Sequence, residues 1–226
     1  MTETRSFDSE FDIEQAIPKL HRAVSSFPKA AMFALADEGY TSAFEQLISC
    51  IISIRTYDEV SLPVSRSLFA AAKTPAEMCD LRVDEIETLI AQSTYARRKA
   101  RQIKAIAEQI CTKHEGILPC DKEVMLNFKG VGVKCANLTL GIACGQPSIS
   151  VDVHVHRVTN RWGYVDTKTP EKTTVALEAK LPQKYWIEIN SLLVPFGKHI
   201  CTGKLPRCSN CSLHEMCQQV GVEKTS

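Results

Sequence analysis

The stretch Phe128–Asp152, FKGVGVKCANLTLGIACGQPSISVD, is the one around which this chain is organised. Gly130 and Gly132 flank Val131, Lys134 follows, and Asp152 closes the stretch eighteen positions after the lysine. Glycines on both sides of one residue permit a tight turn with exposed backbone amides, and the apolar spacing beyond them predicts a helix from about Val133 to Ala143. Successive amides at a helix N-terminus form a nest that binds an anion without side-chain charge. G-x-G alone is only a turn between two helices. Lys134 falls in the first turn, where the helix dipole disfavours an ammonium, as a nucleophilic amine requires; a surface lysine is the plainer reading. Asp152 is placed to cap a helix over Val153–Trp162.

Helical signals continue on either side. Ile13, Ile17, Leu20 and Val24 mark one face of a helix over Asp12–Phe27. Ser42 to Glu45 has the form of a capping box before the apolar run Leu47–Ile54, predicting a buried central helix with a polar tip at Arg55-Thr56-Tyr57-Asp58. Further helices are predicted over Asp58–Ala72, from Thr74-Pro75-Ala76-Glu77, over Asp84–Gln92 and over Tyr95–His114. Asp121 caps a short helix into the glycine turn; Thr169-Pro170-Glu171 opens another, and Tyr185–His199 is the last. No alternating strand pattern is found, so the fold class is all-α with about ten helices. Residues 1 to about 10 read as a polar tail.

With 226 residues, 44% hydrophobic and 23% charged, the chain has the composition of an ordinary globular protein of one large or two small domains. It carries no apolar run long enough for a membrane span and no signal peptide, and the early acids Glu3, Asp8, Glu10 and Asp12 argue against an Arg-rich transit peptide. The expectation is an intracellular protein with reduced thiols. A net charge of +1 says nothing about a polyanionic partner, but charge is unevenly spread: five of the eight residues Arg97–Lys104 are basic and none is acidic.

Of ten cysteines, Cys50, Cys79, Cys111, Cys120, Cys135 and Cys144 are scattered in mostly apolar contexts and read as small core residues. Cys201, Cys208, Cys211 and Cys217 are spaced C-x6-C-x2-C-x5-C. Four thiolates so close in sequence suit zinc or an iron–sulfur cluster, although zinc sites usually show two C-x2-C knuckles and only Cys208/Cys211 forms one.

That spacing is similar to the [4Fe-4S] loop of the endonuclease III family of DNA glycosylases. Leu126–Ala136 resembles the same superfamily's helix-hairpin-helix signature, L-P-G-V-G-x-K-T-A, with Phe128, Lys129 and Cys135 in place of leucine, proline and threonine. Val151-Asp152-Val153-His154-Val155-His156-Arg157-Val158 resembles its V-D-T-H-x-x-R-V motif. The resemblance, spanning about Ala31 to Cys217, implies a six-helix barrel domain with the hairpin at 36–146 and an iron–sulfur domain made of 1–35 plus 147–226. It implies Lys134 and Asp152 as the catalytic pair, the four clustered cysteines as ligands of a [4Fe-4S] cluster, and Gly130, Val131 and Gly132 as DNA contacts. Lys204, Arg207 and Lys198 are candidates for phosphates, and His154 and His156 read as packing or phosphate neighbours.

The activity so implied is that of a bifunctional DNA glycosylase and AP lyase removing oxidised pyrimidines. Its partner is double-stranded DNA with damaged bases or abasic sites, and it is a monomer of the bacterial cytoplasm or nucleoid. Two positions depart from the family: Arg55 stands where a glutamine usually fills the vacated base position, and Thr94, before Tyr95, where a leucine usually wedges. An altered lesion range or weak activity is expected. A thymine- or uracil-mismatch glycosylase of the same superfamily and a non-catalytic damage binder are the alternatives.

Overall fold

The computed structural model describes residues 11–226, and every regular element among them is helical. The expected polar tail, residues 1–10, lies outside the described residues. In chain order the helices are α1 (Ile13–Val24), α2 (Ala31–Asp37), α3 (Ala43–Ser53), α4 (Asp58–Ala71), α5 (Pro75–Asp80), α6 (Val83–Leu89), α7 (Ala96–Lys113), α8 (Lys122–Leu126), α9 (Val133–Cys144), α10 (Val153–Arg161), α11 (Pro170–Lys180) and α12 (Glu188–His199). Sequence spacing misses α2, a seven-residue helix whose N-cap, Ala30, offers no side-chain bond. None of these helices is long and apolar enough to cross a membrane. The chain forms two compact units, one of Ala30–Ser150, the other of the segment ending at Lys29 together with Val151–Ser226.

In the first unit α3 is the axis. Its residues from Phe44 to Ile52 are all buried, and it packs on α9 and α4. Leu47, Ile48 and Ile51 meet Leu68 of α4, Ile103, Ile106 and Ile110 of α7, and Ala136 and Leu140 of α9 in one core. Burying each such side chain contributes about 1.5–3 kcal/mol, far more than helix propensity supplies. Helix starts are fixed chemically. Ser42 Oγ accepts from Glu45 N and Glu45 Oε2 from Ser42 N, and Thr74 and Glu77 repeat the exchange at α5. The unit is wider than residues 36–146, because α2 packs on α3 and α4 and the 149–150 segment is hydrogen-bonded to α9.

The scattered cysteines are not all separate core residues. Cys50 is disulfide-bonded to Cys135 and Cys120 to Cys144, with Cα–Cα distances of 5.8 and 6.0 Å. Packing of α3 on α9 sets the first pair; the second joins the segment before α8 to the end of α9. One chain's periodicity cannot reveal such pairing, and the expectation of reduced thiols is corrected at these four positions.

In the second unit α10 packs on α11 and α12, and α1 lies on α12. Phe11 stacks on Trp162 at 4.6 Å between centroids, and Trp162 meets Phe196 at 6.3 Å. Glu14 accepts from Lys184 Nζ at 2.8 Å and the Tyr185 hydroxyl at 2.5 Å, tying α1 to the turn before α12.

Candidate functional site

The glycine turn joins α8 to α9. Asp121 caps α8, accepting from the Glu123 and Val124 amides at 2.8 and 3.0 Å. Phe128 and Val131 are buried, and the Val131 amide donates to the Phe128 carbonyl, so Val131 anchors the turn. Gly130 has φ +83°, a left-handed conformation that disfavours a side chain, and a Cβ there would lie 2.9 Å from Gln102 Nε2. Gln102 itself donates to the Lys129 carbonyl at 2.9 Å, holding the turn to α7 where the signature's proline is missing. No side chain caps α9 at Gly132, which leaves its N-terminus open to an external acceptor.

Lys134 stands in the first turn of α9, half-buried, with Nζ 3.7 Å from Cys50 Sγ. The carbonyl of Lys134 accepts from Ser150 Oγ at 3.2 Å, and buried Asn137 donates Nδ2 to the Ile149 carbonyl at 2.7 Å. These bonds hold the 149–150 segment against α9.

Two further positions are brought together in this unit. Arg55, after α3, has φ +55°, and Tyr95, at the start of α7, has φ +62°; both are left-handed without being glycine. The Arg55 guanidinium lies 6.0 Å from the Tyr95 ring centroid, and Tyr95 is 57% exposed. Thr94 is bonded to the neighbouring loop: its hydroxyl donates to the Arg55 carbonyl at 2.8 Å and its amide to Thr56 Oγ1 at 3.1 Å. Beneath lies Lys99, 4% exposed, whose ammonium donates to the Ile52 and Ile54 carbonyls and Thr56 Oγ1 at 2.6, 2.8 and 3.0 Å. Burial pushes the Lys99 ammonium down to about 8. Sequence reading missed Lys99 among the basic residues around it. The signal was its register, four residues before Ile103 on the apolar face of α7.

In the second unit Asp152 caps α10. Oδ1 accepts from the His154 and Val155 amides, both at 2.9 Å, which fixes the direction of the carboxylate. His156 Nδ1 lies 2.7 Å from Thr173 Oγ1 and His154 Nδ1 3.2 Å from Arg157 Nη2, so both rings are held by packing partners.

Cys201, Cys208, Cys211 and Cys217 line one cavity with Trp162, Phe196 and Pro206. Burial pushes the Cys211 thiol up to about 11 and the Cys217 thiol to about 12. Arg157 and Arg161, one turn apart on α10, hold the loop. Arg157 Nη2 donates to the Gly197 and Cys201 carbonyls at 2.8 and 3.1 Å. Arg161 donates to the Thr202 and Gly203 carbonyls at 2.5 and 2.6 Å and approaches Cys201 Sγ at 3.4 Å. Among the described residues no three His, Cys, Asp or Glu side chains converge on a single ion. Lys204 and Arg207 are exposed between the first two cysteines, and Lys198 is half-buried at the end of α12.

A family model described as HhH-GPD superfamily base excision DNA repair protein matches residues 48–183. Endonuclease III of Thermotoga maritima is 39% identical over 178 residues, 79% of this chain and 84% of the relative. This chain belongs to the endonuclease III family. The structure of a non-covalent endonuclease III–DNA complex matches with a TM-score of 0.78 and 25% identity, over 92% of this chain and 94% of that one. That of a trapped endonuclease III–DNA covalent intermediate matches with a TM-score of 0.76 and 27% identity, over 91% and 95%. The fold expected from the hairpin and the cysteine loop is therefore the endonuclease III fold.

Proposed function

We propose that this chain is a bifunctional DNA glycosylase and AP lyase of base excision repair, with Lys134 as nucleophile and Asp152 as its carboxylate partner. The observation that carries the assignment is the placement of Lys134 in the first turn of α9, directly after an uncapped glycine turn in a family of this chemistry. The turn's amides would take a DNA phosphate, and the neighbouring lysine would then face the sugar. The Lys134 amine attacks C1′, the glycosidic bond breaks and the base leaves with a proton; the C1′–O4′ bond then opens, O4′ taking the second amine proton, as the C1′–N bond becomes C=N. The resulting Schiff base acidifies C2′; loss of that proton breaks the C3′–O bond, and water finally hydrolyses the imine. Asp152 stabilises positive charge developing on the sugar and assists the proton transfers.

Oxidised pyrimidines are the proposed substrates, because a poorly stacked base costs least to extrude. Tyr95 is the better wedge than Thr94, whose hydroxyl and amide are spent on the neighbouring loop. Arg55 supplies a planar fork beside it for the unpaired base. The protein acts as a monomer in the bacterial cytoplasm or nucleoid under this reading.

Four soft thiols lining an apolar cavity, with Arg161 against the first of them, suit a [4Fe-4S] cluster. Cys201, Cys208, Cys211 and Cys217 would hold it. When bound it supplies a rigid cross-link for the loop that presents Lys204 and Arg207 to phosphates. A duplex carrying one thymine glycol tests the activity: cleavage 3′ to the lesion, leaving an unsaturated aldehyde, is expected, whereas base release with an intact strand would indicate the hydrolytic mismatch-type alternative.

A further inference from the structure

Of the five cations in Arg97–Lys104, two are occupied by the fold. Lys99 holds the end of α3, and Lys104 donates to the Cys79 carbonyl and, at 2.9 Å, to the Leu81 carbonyl. Arg97, Arg98 and Arg101 are exposed and make no hydrogen bond or ion pair among the described residues. They line one groove of about 920 Å3 that also takes in Tyr95, Lys129 and Gly130, with Glu87 its single acid. The groove thus runs along α7 from the left-handed tip to the glycine turn, which Gln102 ties to the same helix.

These arginines are costly where they stand. Arg97 and Arg98 lie in the first turn of α7, which has no acidic residue, and a cation there opposes the helix dipole by about 0.3–1 kcal/mol. No partner among the described residues repays that. Four cations facing one carboxylate form an electropositive channel, and the lining from Tyr95 to Gln109 spans roughly 20 Å at 1.5 Å per residue. At about 3.4 Å per nucleotide, that is the length of about six nucleotides of one strand.

We propose that the groove beside α7 is a track for the sugar-phosphate backbone of duplex DNA, read through Arg97, Arg98 and Arg101 regardless of base sequence or damage. It deepens the proposed function by adding a contact outside the glycine turn and the cysteine loop, and it rests on DNA being the partner. Arginine suits the role because its fork meets phosphate oxygens in pairs.

The test is binding of an undamaged duplex by the full chain across about 50–200 mM salt, followed by fluorescence anisotropy. Each phosphate neutralised contributes about 0.9 to the slope of log K against log salt. The variant Arg97→Gln/Arg98→Gln/Arg101→Gln is expected to flatten the slope by about two to three units, and Arg97→Lys/Arg98→Lys/Arg101→Lys to restore it. An unchanged slope in the glutamine variant, with a native circular dichroism spectrum, overturns the track, as does a lysine variant as flat as the glutamine one. Loss of the lyase reading would show separately, as wild-type protein that binds undamaged duplex but never cleaves at an abasic site.

Discussion

Arg55 and Tyr95, forty residues apart in sequence, hold left-handed backbone side by side, with the Arg55 guanidinium 6.0 Å from the Tyr95 ring. Neither conformation is cheap for a residue with a side chain, at about 1–3 kcal/mol each, and a surrounding network must maintain it. The Thr94–Arg55 and Thr94–Thr56 bonds and the buried Lys99 ammonium form that network.

If these tips enter the duplex, truncating them removes stacking worth about 1–3 kcal/mol. Tyr95→Ala is expected to lower kcat/KM on a thymine-glycol duplex by about 10- to 100-fold, while Thr94→Val changes it less. Single-stranded abasic DNA, which needs no wedge, separates the two effects. A Tyr95→Ala protein with wild-type kcat/KM on the duplex would remove the tip from the account.

Lys99 makes stability depend on pH in a defined direction. Its folded pKa, about 8, lies below the ordinary lysine value, so between the two the unfolded chain binds more protons than the folded protein. Its contribution therefore becomes more favourable as pH rises from about 8 towards 10.5. Urea unfolding of wild type and Lys99→Met at pH 7, 8, 9 and 10 should show the wild type gaining on the variant. A flat or falling difference would mean that the three oxygen acceptors outweigh burial and hold the proton.

Asp152 caps α10, and substitution can separate that structural role from the chemical role proposed for it. Asn caps a helix as well as Asp does. Asp152→Asn is thus expected to keep stability within about 0.5 kcal/mol and yet lower the base-removal rate by about 100-fold or more. Asp152→Ala should lose about 1 kcal/mol of stability in addition. Chemical denaturation paired with single-turnover base release tests both; an asparagine variant as fast as wild type would leave the residue a cap alone.

Arg161 should matter to the cysteine loop far more than its place in a helix suggests. Removing it strands the Thr202 and Gly203 carbonyls and the Cys201 sulfur, at a cost of about 2–3 kcal/mol. Arg161→Met is expected to lower the melting temperature and the iron and sulfide bound per chain. Full iron content with unchanged melting would show the loop to be self-supporting.

Capping boxes at Ser42 and Thr74, the Asp121 and Asp152 caps and the glycine turn were legible in the sequence because each is a local device within a few residues. The long-range relations were not. Nothing near Cys50 announces Cys135, eighty-five positions away, and neither Arg157, inside a recognised motif, nor Arg161, one turn beyond it, gives any sign that its acceptors are the carbonyls around Cys201. Thr94 shows a further limit: its position suggested a wedge, but only the structure shows the hydroxyl turned to the Arg55 carbonyl and the following ring exposed.

In the proposed reaction the Lys134 amine forms the covalent link to DNA. Borohydride reduction during incubation with an abasic duplex, followed by peptide mapping of the cross-linked protein, tests it most directly. One adduct is expected, on Lys134, and none in Lys134→Ala. An adduct of undiminished yield in that variant, or a wild-type adduct on another lysine, would contradict it.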